Sequence, residues 1–164
     1  MTQTPRVGWA MVSGFDSPVE PMKQTTAAAF AALALSLFSP WVEASELPDA
    51  TVAKELGVSG VTHTTKTNTI RGTTYSDLSY KDDRGAGLIV LRLGTVGQYE
   101  LWKHGMGTQS TPVADLGLEA FQVKMFRAVC AKSASSAVCV TPSFVNKNLK
   151  LSDAQIQALA RAAL

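Results

Sequence analysis

Residues that build metal centres and catalytic clusters are scarce in this sequence. Its 164 residues include two cysteines and two histidines, and only 17% are charged. A zinc site needs three or four ligands, usually at diagnostic spacing. His63 and His104 stand alone, so neither a metal nor a cofactor is expected. No glycine loop ending in Lys-Ser/Thr is present to cradle a phosphate, and no Gly-x-Ser-x-Gly elbow to present a nucleophile. Asp82 and Asp83 are adjacent, so their side chains point apart and do not make an acid–base pair. The run around them, Lys81 to Gly87 (KDDRGAG), has too few alternating oxygen ligands for a calcium loop and reads as a hairpin turn. Basic residues are scattered singly, which argues against a nucleic-acid partner.

Long apolar runs are also few. The one that stands out, Ala27 to Phe38, is broken only by Ser36. It is too short to cross a hydrocarbon core needing about 20 apolar residues. Lys23 precedes it, Pro40 follows it, and Val42-Glu43-Ala44 puts small or β-branched residues at the two positions a signal peptidase reads. Residues 22–44 therefore read as a signal peptide cleaved between Ala44 and Ser45. Asp16 and Glu20 lie upstream, where a signal peptide carries positive charge. Residues 1–21 read as a mis-assigned start, with Met22 the better one, or as a disordered leader. The mature part, 45–164, has thirteen Lys or Arg against ten Asp or Glu, a net +3. It is long enough for one core and has no second membrane span. No cysteine lies near the cleavage site, which excludes a lipid-anchored lipoprotein unless a different start is used. The product is expected in the periplasm or outside the cell.

Leu47 to Gly57 reads as a first helix, with Pro48 and Asp49 at its start and Gly57 as its C-terminal cap. Val61 to Ile70, rich in threonine, reads as an edge strand, and Gly72 to Tyr80 as its neighbour. Gly87 to Leu93 (GLIVLRL) is apolar throughout and reads as a central strand. Gln98 to Lys103 is either a second hairpin arm or a short helix, since periodicity does not arbitrate over six residues. Gly105 to Thr111 reads as a loop. In the last helix, Ser152-Asp153-Ala154-Gln155 fits a capping box, with Leu151 and Ile156 as its hydrophobic staple. Ile156, Leu159, Ala160 and Ala163 share its apolar face.

Phe121 to Ala131 and Ala137 to Phe144 read as a hairpin. A turn centred between Ala134 and Ser135 sets Cys130 opposite Cys139, Val129 opposite Val140 and Ala131 opposite Val138. A disulfide across this hairpin follows, since thiols in an oxidising compartment tend to pair. Both faces of the hairpin are apolar, so cover is expected on both sides.

Thr111 to Gln122, TPVADLGLEAFQ, resembles the "pro-val-x-gly-leu-gly-asp-x-ala-phe" segment of small exported bacterial domains with the PsbP-like fold. Asp115 stands where that segment usually has glycine, and Leu118 where it has an acid. The order of elements over residues 46–164 is similar too. The resemblance implies a sheet flanked by helices, a helix at Gln98 to Lys103, and no catalytic residues.

The expected fold is α+β: a mainly antiparallel sheet of about five strands, flanked by an N-terminal and a C-terminal helix. The expected function is that of an exported non-catalytic domain binding a protein or cell-envelope component. Trp102, His104 and Met106 form the candidate interaction surface, because exposed loops carry binding and Trp dominates many interfaces. The competing reading is a small extracytoplasmic hydrolase or accessory enzyme using His63 or His104.

Overall fold

The computed structural model describes residues 44–164 except Arg71 and Lys147. The stretches expected to be a leader, 1–21, and a signal peptide, 22–44, lie outside the described residues except for Ala44. Among the described residues the fold is α+β, with one antiparallel sheet of seven strands and three α-helices. In chain order come α1 (Asp49–Leu56), β1 (Thr62–Ile70), β2 (Thr73–Lys81), β3 (Gly87–Thr95), α2 (Val96–Met106), β4 (Ser110–Val113), β5 (Glu119–Val123), β6 (Ala128–Lys132), β7 (Ser136–Pro142) and α3 (Asp153–Ala163). Across the sheet the order is β1-β2-β3-β7-β6-β5-β4. Two meanders, β1–β3 and β4–β7, thus join where β3 pairs with β7.

Seven strands replace the expected five for two local reasons. Phe121 to Ala131 is not one arm. It turns at Lys124 to Arg127, where Arg127 adopts φ 50° and its amide donates to the Lys124 carbonyl, giving β5 and β6. The second reason is β4, which takes up the end of the stretch read as loop. Pro112 has no amide hydrogen, so it is tolerated there because β4 is an edge strand.

The final hairpin has the expected register: Val129 opposite Val140, Cys130 opposite Cys139, Ala131 opposite Val138. The Ser133 amide donates to the Ser136 carbonyl across its turn. Cys130 and Cys139 are disulfide-bonded, with their Cα atoms 4.0 Å apart. The edge position of β1, the αL cap at Gly57 and the capping box at Ser152 and Gln155 also follow the sequence.

The terminal helices α1 and α3 do not sandwich the sheet. They share one face, where Val52, Ile156, Leu159 and Ala160 pack on Leu78, Leu91, Val138 and Val140 without exposure. Small residues on α3 let its axis lie close to the strands. Tyr80 is fully buried there and donates to the Leu47 carbonyl at 2.7 Å, tying the segment before α1 to the sheet. The opposite face belongs to α2. Its Tyr99 packs with Phe121, Val123, Ala128 and Cys130 in a smaller cluster.

Candidate functional site

The site begins with the way α2 leaves β3. Thr95 is its N-cap: the Thr95 hydroxyl accepts from the Gln98 amide, and the Thr95 amide donates to Gln98 Oε1 at 2.8 Å. The helix docks tightly because Gly94 has no side chain. A Cβ there would sit 2.2 Å from Gln98 Oε1 and 3.1 Å from Trp102 Cη2. Tyr99 packs on Phe121 with ring centroids 5.2 Å apart. Lys132 closes this end: it pairs with Glu100 at 2.5 Å and Glu119 at 2.8 Å, and Glu119 also binds Lys103. These two lysines hold the Glu119 carboxyl below the usual carboxylate range. Burial pushes the Tyr99 phenol up to about 12, and its hydroxyl has no hydrogen-bond partner among the described residues.

At the other end of the same face the packing stops short. Trp102 and Met106, one helical turn apart, overhang an open cavity of about 340 Å³. Its floor is Val90, Thr141 and the Cys130–Cys139 disulfide, and its far wall is Phe126 and Phe144. Those two rings meet edge to face at 5.8 Å. Sheet register builds the floor, since Val90 faces Thr141 and Arg92 faces Cys139 across β3 and β7. Besides Thr141, Arg92 is the polar contributor. Its guanidinium binds Asp77 through Nε at 2.7 Å and Nη2 at 2.9 Å and lies 4.4 Å from the Tyr75 ring centroid. Asp77 offsets its charge and strengthens its hold on its proton. The cover expected over both sides of the final hairpin is therefore incomplete: Cys139 and Thr141 stay half-buried because α2 ends short of them.

Trp102 and Met106 thus share a site, while His104 does not reach it. His104 lies in the last turn of α2, not in a loop, and lines a separate shallow polar hollow with Glu100, Lys103, Gly107 and Ser110. His63 sits on the face of α1 and α3. Its Nδ1 is 2.6 Å from Asp49 Oδ1 and its Nε2 is 2.5 Å from Glu46 Oε1. Asp49, and then Glu46, raise its pKa. Carboxylates at both ring nitrogens favour the protonated imidazole. Among the described residues no three His, Cys, Asp or Glu side chains come together to hold a metal ion.

Sequence reasoning named neither Val90, Arg92 and Thr141 nor the Phe126–Phe144 wall as parts of a site. Val90 and Arg92 lie on β3 and Thr141 on β7, so the β3–β7 pairing brings those three together; Phe126 comes from the turn between β5 and β6, and Phe144 from the segment after β7. Helix α2 had a readable signal, the Thr95-x-x-Gln98 capping box, with Tyr99, Trp102 and Met106 at helical spacing.

Comparison with protein-family models, with curated protein sequences and with solved structures finds no match for this chain. The case for a function rests on the geometry above.

Proposed function

We propose that this is an exported, non-catalytic domain that binds a protein or cell-envelope component through the cavity beneath Trp102 and Met106. The observation that carries the reading is the cavity itself. It is an open, mainly apolar recess at the small end of the usual size range for ligand sites, on a sheet whose other face is filled. No hydroxyl or thiol nucleophile paired with a histidine and an acid lines it. Neither histidine does, which favours binding over hydrolysis.

Export is supported by the apolar run at 27–38 and by the disulfide, the form that cysteine pairs keep in oxidising compartments. Cleavage between Ala44 and Ser45 fits the contacts at Ser45. Its amide donates to the Ala163 carbonyl at 2.8 Å. A new α-ammonium at Ser45 would keep that bond and add a favourable charge at the C-terminal end of α3, at the loss of the Ala44 bond to Ser136. The likeness to PsbP-like domains belongs to the same proposal and agrees with a binding role.

The test joins location to activity. N-terminal sequencing of the protein recovered from periplasm or medium should begin at Ser45. The purified protein should retain an envelope component that Val90→Phe, which fills the cavity, releases. It should not hydrolyse a panel of chromogenic esters. Turnover abolished by His63→Ala or His104→Ala would overturn the reading in favour of the hydrolase.

A further inference from the structure

Going beyond the cavity, and independent of it, we propose that one end of the sheet docks on an anionic lipid surface. Register defines that end. Lys81 pairs with Gly87, Ile89 with Pro142 and Val123 with Ala128. The β2–β3 turn, the segment after β7 and the β5–β6 turn therefore emerge side by side. Phe126 and Phe144 join the last two, with ring centroids 5.8 Å apart. Val145 lines one hollow with Lys81, Gly85 and Ala86 of the first.

Exposed apolar bulk is the first argument. Among the described residues the exposed large apolar side chains are Ile70, Leu101, Leu118, Met125, Phe144 and Val145. The first three stand apart, at the end of β1, on α2 and just before β5. The last three gather at this end, 66%, 61% and 89% exposed. They are carried on chain beyond the strand ends.

Charge complementarity is the second. Residues 45–164 carry a net +3. The stretches 81–87, 124–127 and 143–153 hold six Lys or Arg against three Asp, and the rest of 45–164 holds seven of each sign. The whole excess thus belongs to these stretches. Two of the three acids are already engaged. Asp82 accepts from the Arg84 and Ala86 amides at 3.0 and 2.7 Å, and Asp153 pairs with Arg127 at 3.0 Å. Lys81, Arg84, Lys124 and Lys150 are exposed, and among the described residues none of them is in a salt bridge. Anionic headgroups attract such a cluster.

The mixture separates lipid from protein. Cations flank the apolar side chains directly, as in Lys124-Met125-Phe126-Arg127. Lysine is depleted from protein interfaces. At a bilayer the same mixture is favourable. Apolar side chains enter the acyl boundary, and lysine stems follow them while the ammonium stays among the headgroups.

The test uses the protein as cells process it, with its disulfide intact. It is cosedimented with vesicles of phosphatidylcholine alone or mixed with phosphatidylglycerol. Any part of the 27–38 run that remains is common to all variants, so their differences are read. The mixed vesicles should bind at least about tenfold more tightly. Lys124→Gln and Lys150→Gln should each weaken that binding about fivefold. Met125→Ser and Val145→Ser keep the charge and should also weaken it about fivefold each. Both side chains are exposed, so the fold survives their loss. Lys66→Gln and Ile70→Ser, elsewhere on the surface, should change nothing, and soluble glycerol phosphate should not compete. No preference for the mixed vesicles would overturn the proposal. So would full binding by Met125→Ser and Val145→Ser, which would mean adhesion by charge alone. Equal losses from Lys66→Gln and Ile70→Ser would overturn it by showing no local surface, and displacement by glycerol phosphate by showing a phosphate site. Loss of vesicle binding in folded Val90→Phe would overturn it by placing the lipid in the cavity. If vesicles fail to bind but Val90→Phe still releases an envelope component, this proposal falls and the cavity reading stands.

Discussion

The two faces of the sheet are built from the same strands and end up in different states. On the α1–α3 face, Leu78, Leu91, Val138 and Val140 meet two helices that bring Val52, Ile156 and Leu159, and every one of these side chains is excluded from water. On the α2 face, Tyr99 and Phe121 are as well packed, but the packing gives out at Trp102 and leaves Val90, Cys139 and Thr141 partly open. Two helices fill a face that one helix of eleven residues does not span. The filled face makes stability, and the unfilled one leaves a recess whose apolar walls are held in place by that stability.

The sharpest way to break this comparison is to truncate one large side chain on each face. Leu159→Ala should cost about 2–5 kcal/mol, because its site is fully buried and leaves a cavity. Trp102→Ala, from a half-buried position beside an existing recess, should cost only about 1–2 kcal/mol. Urea unfolding of both variants checks this, and equal losses would mean that the α2 face is core like the other. Next in size is the disulfide. Replacing Cys130 and Cys139 by serine opens a short loop and should lower stability by about 2–3 kcal/mol on the chain-entropy model, read as a fall in the denaturation midpoint.

A smaller change tests what holds α2 on its face. Gly94→Ala puts a methyl group into Gln98 and Trp102 and should cost about 1–3 kcal/mol. The accompanying shift of the Met106 methyl signal would show that the helix has moved, whereas a neutral effect would show that α2 is loosely seated.

The smallest effect belongs to the margin of the filled face. His63 has its pKa raised by Asp49 and Glu46, so its contribution is fully present below its ordinary value of about 6.5. That contribution is lost as pH rises through the elevated folded value. With part of the pair exposed, it should amount to less than about 1 kcal/mol. The melting temperature of wild type minus that of His63→Gln, followed from pH 5 to 9, should fall as pH rises. A difference that grows with pH would contradict the ion-pair geometry.

Much of the filled face was legible in the sequence because its signals are local. Gly57 ends α1, and Ser152 and Gln155 start α3; on the α2 face one local signal was also readable, the symmetric turn at Ala134 and Ser135 that sets Cys130 opposite Cys139. The strand count was not, because the break at Lys124 to Arg127 depends on a non-glycine residue at positive φ, which residue type does not announce. Of the candidate surface, Trp102 and Met106 were found from their type and from the glycines near them. His104, two residues from each, points elsewhere because residues two apart on a helix do not share a face.

By itself the sequence determined the elements whose ends are marked by caps and turns, and the register that sets Cys130 opposite Cys139. These depend on neighbours a few residues apart, where backbone sterics and hydrogen bonding act directly. Tertiary structure alone decided that β3 lies beside β7 across a gap of forty residues, and that α2 has a face to itself. It also set Arg92, Thr141 and Phe144 around one recess. Those outcomes depend on which apolar surfaces find each other and how completely they fill the space between them, and no local pattern encodes that.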